Sequence, residues 1–180
     1  MSAVLPPGVD PTASIGDRTT IHRLAQVSEH ARIGSECVLH AGAFIGRNVL
    51  LGPNCVVQDE AVVQESTLVE EAVRIGRGAV LANRVSDHFD GLVVRAHAVI
   101  GAGARCVGPA QIGRWAVVAP GALVMDDVPD FAVVEGSPAH RSGWVGRAGY
   151  RLTRQRDGTW LCPKTGERYT EVDGVLVLAV

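Results

Sequence analysis

Three polar side chains recur at a single interval: His22, His40 and Gln58 stand eighteen residues apart, and Gly76 is next in the series. Imidazoles exchange protons near neutrality, so such a series suits removal of a proton from an attacking amine or hydroxyl. It equally suits a polar lining for a ligand cleft between subunits, or a hydrogen-bonding ladder at a subunit contact. For His40 the cleft and the ladder stand level. Asn83 adds an amide that can accept a hydrogen bond from a nucleophile and orient it, but cannot act as a base. It also reads as a plain turn residue. His88, between Asp87 and Asp90, and His97 are two further imidazoles, each read either as a proton acceptor or as a solvated histidine of a loop or corner. A catalytic zinc would need three converging histidines. The nearest pairs, 22/30 and 88/97, are eight and nine residues apart, which argues against a metal. No Gly-x-Ser-x-Gly turn, phosphate loop or dinucleotide fingerprint occurs.

The scaffold behind that spacing is a six-residue repeat. From Val9 an aliphatic residue falls at every sixth position through Leu81, and the beat resumes from Val94 to Val124, with Cys106 its one exception. Four residues after each beat comes a small side chain, from Ala13 and Thr19 to Ala122 and Val128. Neither helical nor alternating periodicity holds a six-residue phase for so long. The pattern predicts a parallel β-helix, with three hexads closing a triangular coil of 18 residues and each coil pairing with the next. Columns of residues 18 apart then stack, which puts His22, His40 and Gln58 on one face of the prism. A narrow interior accounts for 47% hydrophobic but only 4% aromatic content. Glycine follows the beat in seven hexads, at 16, 34, 46, 52, 76, 101 and 113, which suggests tight corners.

The chain of 180 residues thus divides into a β-helix over 9–130, interrupted by a loop at 86–93, and a C-terminal extension over 131–180. The extension reads as a short capping segment with strands joined at Pro163–Gly166 and a hairpin at Asp173-Gly174. Trp144 and Trp160 are its expected packing anchors, and its task is to cover the open end of the solenoid. A net charge of −2 gives no electrostatic case for nucleic acid. No 18-residue apolar run and no signal-peptide pattern occur, so the expectation is a cytoplasmic protein away from the membrane. Cys37 and Cys55 share a small inward column and are expected as stacked, reduced thiols.

The repeat ends in Val133-Val134-Glu135-Gly136-Ser137-Pro138-Ala139, and there the chain resembles the hexapeptide-repeat acyltransferases, whose fold is a left-handed β-helix. A narrower likeness runs through His22, Gln58, Ala82-Asn83, Val94-Arg95, Ile100-Gly101, Asp127–Asp130 and Gly143–Val145 to Cys162-Pro163-x-Thr165-Gly166-Glu167-Arg168-Tyr169. Together these are similar to nucleotide-sugar N-acetyltransferases, in particular those that acetylate the 3-amino group of a UDP-linked diamino-glucuronate. The resemblance implies a homotrimer, acetyl-CoA as cosubstrate and no metal. It implies catalytic roles for Asn83 and His22, and acceptor binding by Gln58, Arg84 and His88. The cofactor would lie along Gly101 and Ala119, with Pro138 and Ala139 at its adenine end and Arg141 or Arg147 at its phosphates. The chain departs from the family in a shorter loop after Asn83, in Arg23, in Asp59-Glu60 and in Ser137. UDP or TDP as the nucleotide stays open, as do O-acetylation, a longer acyl group, and a trimeric solenoid without catalysis.

Overall fold

A computed structural model describes residues 6–83 and 91–179 of the chain. Among these residues every regular element is a strand. Eighteen of the strands, most of them two residues long, form three faces of a prism. The first face stacks β1 (Ser14–Ile15), β4 (Arg32–Ile33), β7 (Leu50–Leu51), β10 (Leu68–Val69), β13 (Leu92–Val94) and β16 (Ala110–Ile112). The second stacks β2 (Thr20–Ile21), β5 (Val38–Leu39), β8 (Val56–Val57), β11 (Arg74–Ile75), β14 (Val99–Ile100) and β17 (Val117–Val118). The third holds β3 (Gln26–Val27), β6 (Phe44–Ile45), β9 (Val62–Val63), β12 (Val80–Asn83), β15 (Arg105–Gly108) and β18 (Leu123–Val124). All pairings within these eighteen are parallel, and the coils wind as a left-handed β-helix. Each edge of the prism takes the number of the face it follows.

Two residues per strand suffice because the backbone is satisfied by the coils on either side rather than along the chain. The Gln26 N–H donates to Ala43 O at 2.8 Å, Phe44 N–H to Ala61 O at 2.9 Å, and Val62 N–H to Ala79 O at 2.8 Å. Within each pair the second residue points inward. Leu39, Ile45, Val57, Val63, Ile75 and Leu81 are fully buried, as are the small residues Ala31, Ala43, Ala61 and Ala79 beside them. The glycines that follow the beat have a different cause from the one their position suggests. Positive φ falls two residues later, on ordinary residues such as Arg18, Glu36 and Asn54 at 57–59° and on a second glycine at Gly78 and Gly103. The glycines instead sit flush against the next coil. A Cβ on Gly34 would stand 2.5 Å from Pro53 N, and one on Gly101 2.4 Å from Pro120 N.

Register survives the break in the repeat. Leu68 pairs with Val93 and Val69 with Val94, a separation of 25 residues instead of 18, and stacking then continues. The final coil is short, since Ile112 bridges Val128 and Val118 pairs with Val134, each 16 residues on. The parallel ladder therefore runs past Asp130 into β19 (Ala132–Gly136), which doubles back as β20 (Ala139–Trp144). The rest of the tail is an antiparallel sheet of β21 (Thr153–Arg154), β22 (Trp160–Leu161), β23 (Arg168–Val172) and β24 (Val175–Leu178). Asp173 and Gly174 turn β23 into β24 with positive φ at both residues, the geometry two-residue hairpins favour. Buried Tyr169 lies 6.1 Å from Phe131, ring to ring, and so seats the sheet against the end of the solenoid. Trp144 is buried and its indole N–H donates to Glu171 at 3.0 Å.

The Gly34→Ala variant is expected to lose about 1–3 kcal/mol by thermal or urea unfolding, because the obstructing atoms belong to backbone. Glu171 provides a second check. Burial pushes its carboxyl up, but bonds from Trp144 and Arg141 outweigh burial and hold it below the usual carboxylate range. A carboxyl lowered in the folded state adds stability above its unfolded value of about 4.3, and that stability is lost as pH falls through the folded value. Arg141→Gln should therefore lower Tm at pH 7, and the gap from wild type should close in acid. A gap of constant size at all pH values would remove the ion pair as its cause.

Candidate functional site

The eighteen-residue series forms the second edge, and its character changes halfway along. His22 and His40 stack with ring centroids 5.2 Å apart and planes within 9°. One coil further on, the Gln58 Oε1 accepts the N–H of Arg77 at 3.0 Å. Asp59 pairs with the Arg77 guanidinium at 2.9 Å, and that bond, helped by the nearby His40, holds its carboxyl below the usual range. Beyond Gln58 the same column reads Gly76, Gly101 and Ala119. A bulky polar ridge thus gives way to bare backbone.

Gly101 and Ala119 do not present their own amides there. Their N–H groups donate to Val118 O and Val134 O, both at 2.8 Å, as part of the coil ladder. The neighbouring Ala102 N–H is placed differently. It occupies the position that Arg77 N–H holds one coil earlier, but Gly76 offers it no side-chain acceptor of the kind Gln58 gives Arg77.

Asn83 lies on the third edge, one coil above Glu65. Its Nδ2 donates to Glu65 O at 2.5 Å and its Oδ1 accepts the Leu92 N–H at 2.6 Å. Both ends of the amide therefore clamp the chain at the point where the repeat breaks, which is the turn reading of this residue. Arg84 and His88, with the loop expected over 86–93 up to residue 90, lie outside the described residues. Within one chain, His22 and Gln58 sit on a different edge from Asn83.

The residues expected around a cofactor's far end cluster at the β19–β20 hairpin. Ser137 and the exposed Pro138 form its turn, and Ala139 opens the return strand. Arg141 pairs with Glu171 at 2.9 Å and lies 4.2 Å over the Trp144 ring, so a carboxylate already offsets its charge. It borders a hollow of about 480 Å³ shared with Trp160, Arg154 and Glu171. The exposed Arg147 offers its backbone N–H to Tyr169 Oη at 3.2 Å.

Two further recesses fall on edges that the repeat does not single out. The roomier, about 800 Å³, follows the first edge, where Glu70 meets Arg95 at 2.6 Å and His97 stacks on Trp115 at 4.1 Å. Burial pushes the Glu70 carboxyl up, but the bonds from Arg95 and the Ala96 N–H prevail and leave it below its usual range. Of the residues singled out from the sequence for their chemistry, His97 alone lines this cleft. The other recess, about 500 Å³, lies on the third edge below Asn83, against Phe44 and Gln64. Its signal in the sequence was slight: Phe44 is the one aromatic at an outward strand position of the eighteen strands.

The cysteines are free and buried. Cys37 and Cys55 send their S–H groups to Gly52 O and Glu70 O at 3.2 and 3.1 Å. The neighbouring Cys37 thiol, then burial, push the Cys55 thiol up; burial alone pushes Cys106 up to about 12. Among the described residues, no three His, Cys, Asp or Glu side chains converge on a point where a metal could sit. No helix among them is long and apolar enough to cross a membrane.

No known family profile matches the chain. It is 33% identical over 90 residues to a dTDP-3-amino-3,6-dideoxy-alpha-D-galactopyranose 3-N-acetyltransferase of Aneurinibacillus thermoaerophilus, covering 50% of this chain and 46% of that one. It is 40% identical over 68 residues to a 2,3,4,5-tetrahydropyridine-2,6-dicarboxylate N-acetyltransferase of Staphylococcus aureus, covering 37% of this chain and 28% of the relative. The chain thus spans less than half the length of these relatives. Among solved structures, a hexapeptide transferase family protein of Anaplasma phagocytophilum superposes with a TM-score of 0.62 at 20% identity, over 79% of this chain and 81% of that one. That likeness speaks for the fold. By repeat, by coil geometry and by the sequences it matches, the chain is similar to the hexapeptide-repeat acetyltransferases.

Proposed function

We propose that this chain is an acetyl-CoA-dependent N-acetyltransferase for the amino group of a UDP- or TDP-linked sugar, and that it works as a homotrimer. The observation that carries this reading is the change along the second edge, from the His22–His40–Gln58 ridge to the bare backbone of Gly76, Gly101 and Ala119. A thin pantetheine arm fits the bare stretch, and its thioester would reach the ridge where the bare stretch begins. The sequence likeness to an acetyltransferase of a nucleotide-linked amino sugar supports the same substrate class.

His22 and Gln58 cannot share a sugar with Asn83 inside one prism, because they lie on different edges. Two copies side by side, the second edge of one facing the third edge of the other, bring them together. The outward residues flanking the second edge favour such packing: Val38, Val56, Val99 and Val117 on one side, Val62, Val80 and Leu123 on the other.

In the reaction the amine nitrogen bonds to the thioester carbon, the C–S bond breaks, and the departing thiolate takes the nitrogen's proton, directly or through His22. Holding the amine about 3 Å from the carbonyl carbon supplies much of the acceleration. The Ala102 N–H is a fixed donor for the developing oxyanion. Asn83 keeps the acceptor side in shape by clamping Glu65 to Leu92, and its Oδ1 retains a lone pair for the amine. Pro138 and Ala139 serve the adenine end, and Arg147 the phosphates beside it. Arg141 contributes there only if Glu171 releases it.

Thiol release from acetyl-CoA, measured against a panel of UDP- and TDP-linked amino sugars, tests the reading. Release with at least one of them is expected, and none with the matching N-acetylated sugars. Silence across the panel, together with no heat of acetyl-CoA binding, would leave a scaffold without catalysis. Asn83→Ala should lower kcat/KM on the order of 10²-fold, and unchanged turnover would take Asn83 out of the mechanism. In His22→Ala the acid limb of the pH–rate profile should disappear if that imidazole carries the proton.

A further inference from the structure

The third-edge recess below Asn83 has a composition of its own. Its walls are Phe44, Gln64, Ser28 and the charged trio Glu29, Arg47 and Glu65. Arg47 is already paired with Glu29 at 2.9 Å, so the trio keeps one net negative charge, on the side of Glu65. Gly46 makes room in the column. It stands against the next coil so closely that a Cβ would meet Glu65 N at 2.7 Å. Phe44 is half-buried on β6, one coil below Val62 and two below Val80, on the same face as Asn83. The Asn83 amide, one coil on, bonds Glu65 O and so ties the Glu65 backbone beside the recess.

An aromatic face, a carboxylate without a compensating cation within the trio, and two neutral hydrogen-bonding side chains together match a particular ligand chemistry. A pyranose ring lays its apolar C–H face on an aromatic ring and turns its hydroxyls outward to amide and hydroxyl partners. An ammonium substituent seeks a carboxylate. A phosphate would be repelled by the net charge. The volume of about 500 Å³ holds one sugar ring with space for water.

We infer that this recess binds the sugar ring of the acceptor, with Phe44 beneath the ring and Glu65 facing its protonated amine. The inference rests on the function proposed above and narrows it: the acceptor enters as an ammonium ion, passes one proton to Glu65 or to water before its nitrogen attacks, and keeps its nucleotide outside the recess. Acetylation then removes the charge that Glu65 recognises, so substrate is held more tightly than product. That difference helps the product leave.

Binding of D-glucosamine and N-acetyl-D-glucosamine, followed by saturation-transfer NMR and calorimetry at a pH where the amine is protonated, tests this without any need for turnover. Wild type should prefer glucosamine by about ten-fold, the size of one charge-assisted hydrogen bond. Glu65→Gln should abolish that preference while leaving N-acetylglucosamine binding unchanged. Phe44→Ala should weaken both sugars by about three- to ten-fold. Both positions face outward, and a thermal melt of each variant shows whether the fold is intact. Equal affinities in wild type, absence of glucosamine binding, or a preference that survives Glu65→Gln would overturn the assignment. Thiol release is read separately. Charge-selective binding without release would sink the acetyltransferase reading and spare the recess, whereas release without selectivity would do the reverse.

Discussion

Everything in this molecule depends on the hydrogen bonds that run from one coil to the next. A strand of two residues has no stability by itself, and here each N–H finds its carbonyl a full coil away, as Gln26 does with Ala43 and Val56 with Val73. That ladder sets the coil spacing, and the spacing determines which side chains stack. It also explains the modest size of the interior residues: one medium aliphatic and one small neighbour per hexad fill a narrow triangle to the density a core requires. The aromatic rings are accordingly left to edges, outward positions and the tail, where Trp144 and Tyr169 pack beyond the last coil.

Chemistry on such a scaffold has few places to go. The inward column is closed and the faces are largely apolar, so polar groups gather at the edges, and each edge has its own succession of side chains. On the second edge the imidazoles of His22 and His40 precede Gln58 and then bare backbone. On the first edge the order is reversed, with Gly16, Gly34 and Gly52 preceding the Glu70–Arg95 pair. On the third, Asn83 bonds Glu65, one coil before it, and Phe44 borders the same recess as Glu65. A prism keeps these edges apart in one chain. Any reaction that uses two of them at once therefore calls for neighbouring prisms, and an enzyme built this way couples assembly to activity.

The scaffold was readable from the chain because a six-residue phase with inward aliphatic and small positions has one structural solution. The stacking of His22 on His40 followed from the same arithmetic. Other features lay beyond it. The seven glycines after the beat announced themselves, but their cause is the close approach of successive coils, and the strained φ is borne by residues such as Glu36 and Asn54. Periodicity places a side chain on an edge without saying what its polar atoms bond. Hence the ladder-bound amides of Gly101 and Ala119, the Glu171 partner of Arg141 and the double engagement of Asn83 all required coordinates. Phe44 was hidden for a related reason: outward strand positions carry no packing constraint, so its aromatic ring stands out only beside the recess it borders.

Between Val69 and Val94 the chain spends seven residues more than a coil requires, yet pairing on either side is undisturbed. Extra chain placed at an edge thus costs the scaffold nothing in register, and Asn83 with Leu92 staples the two ends of the detour. Chain length at this point is thereby decoupled from the pairing of the coils before and after it: the ladder tolerates a detour without shifting any partner.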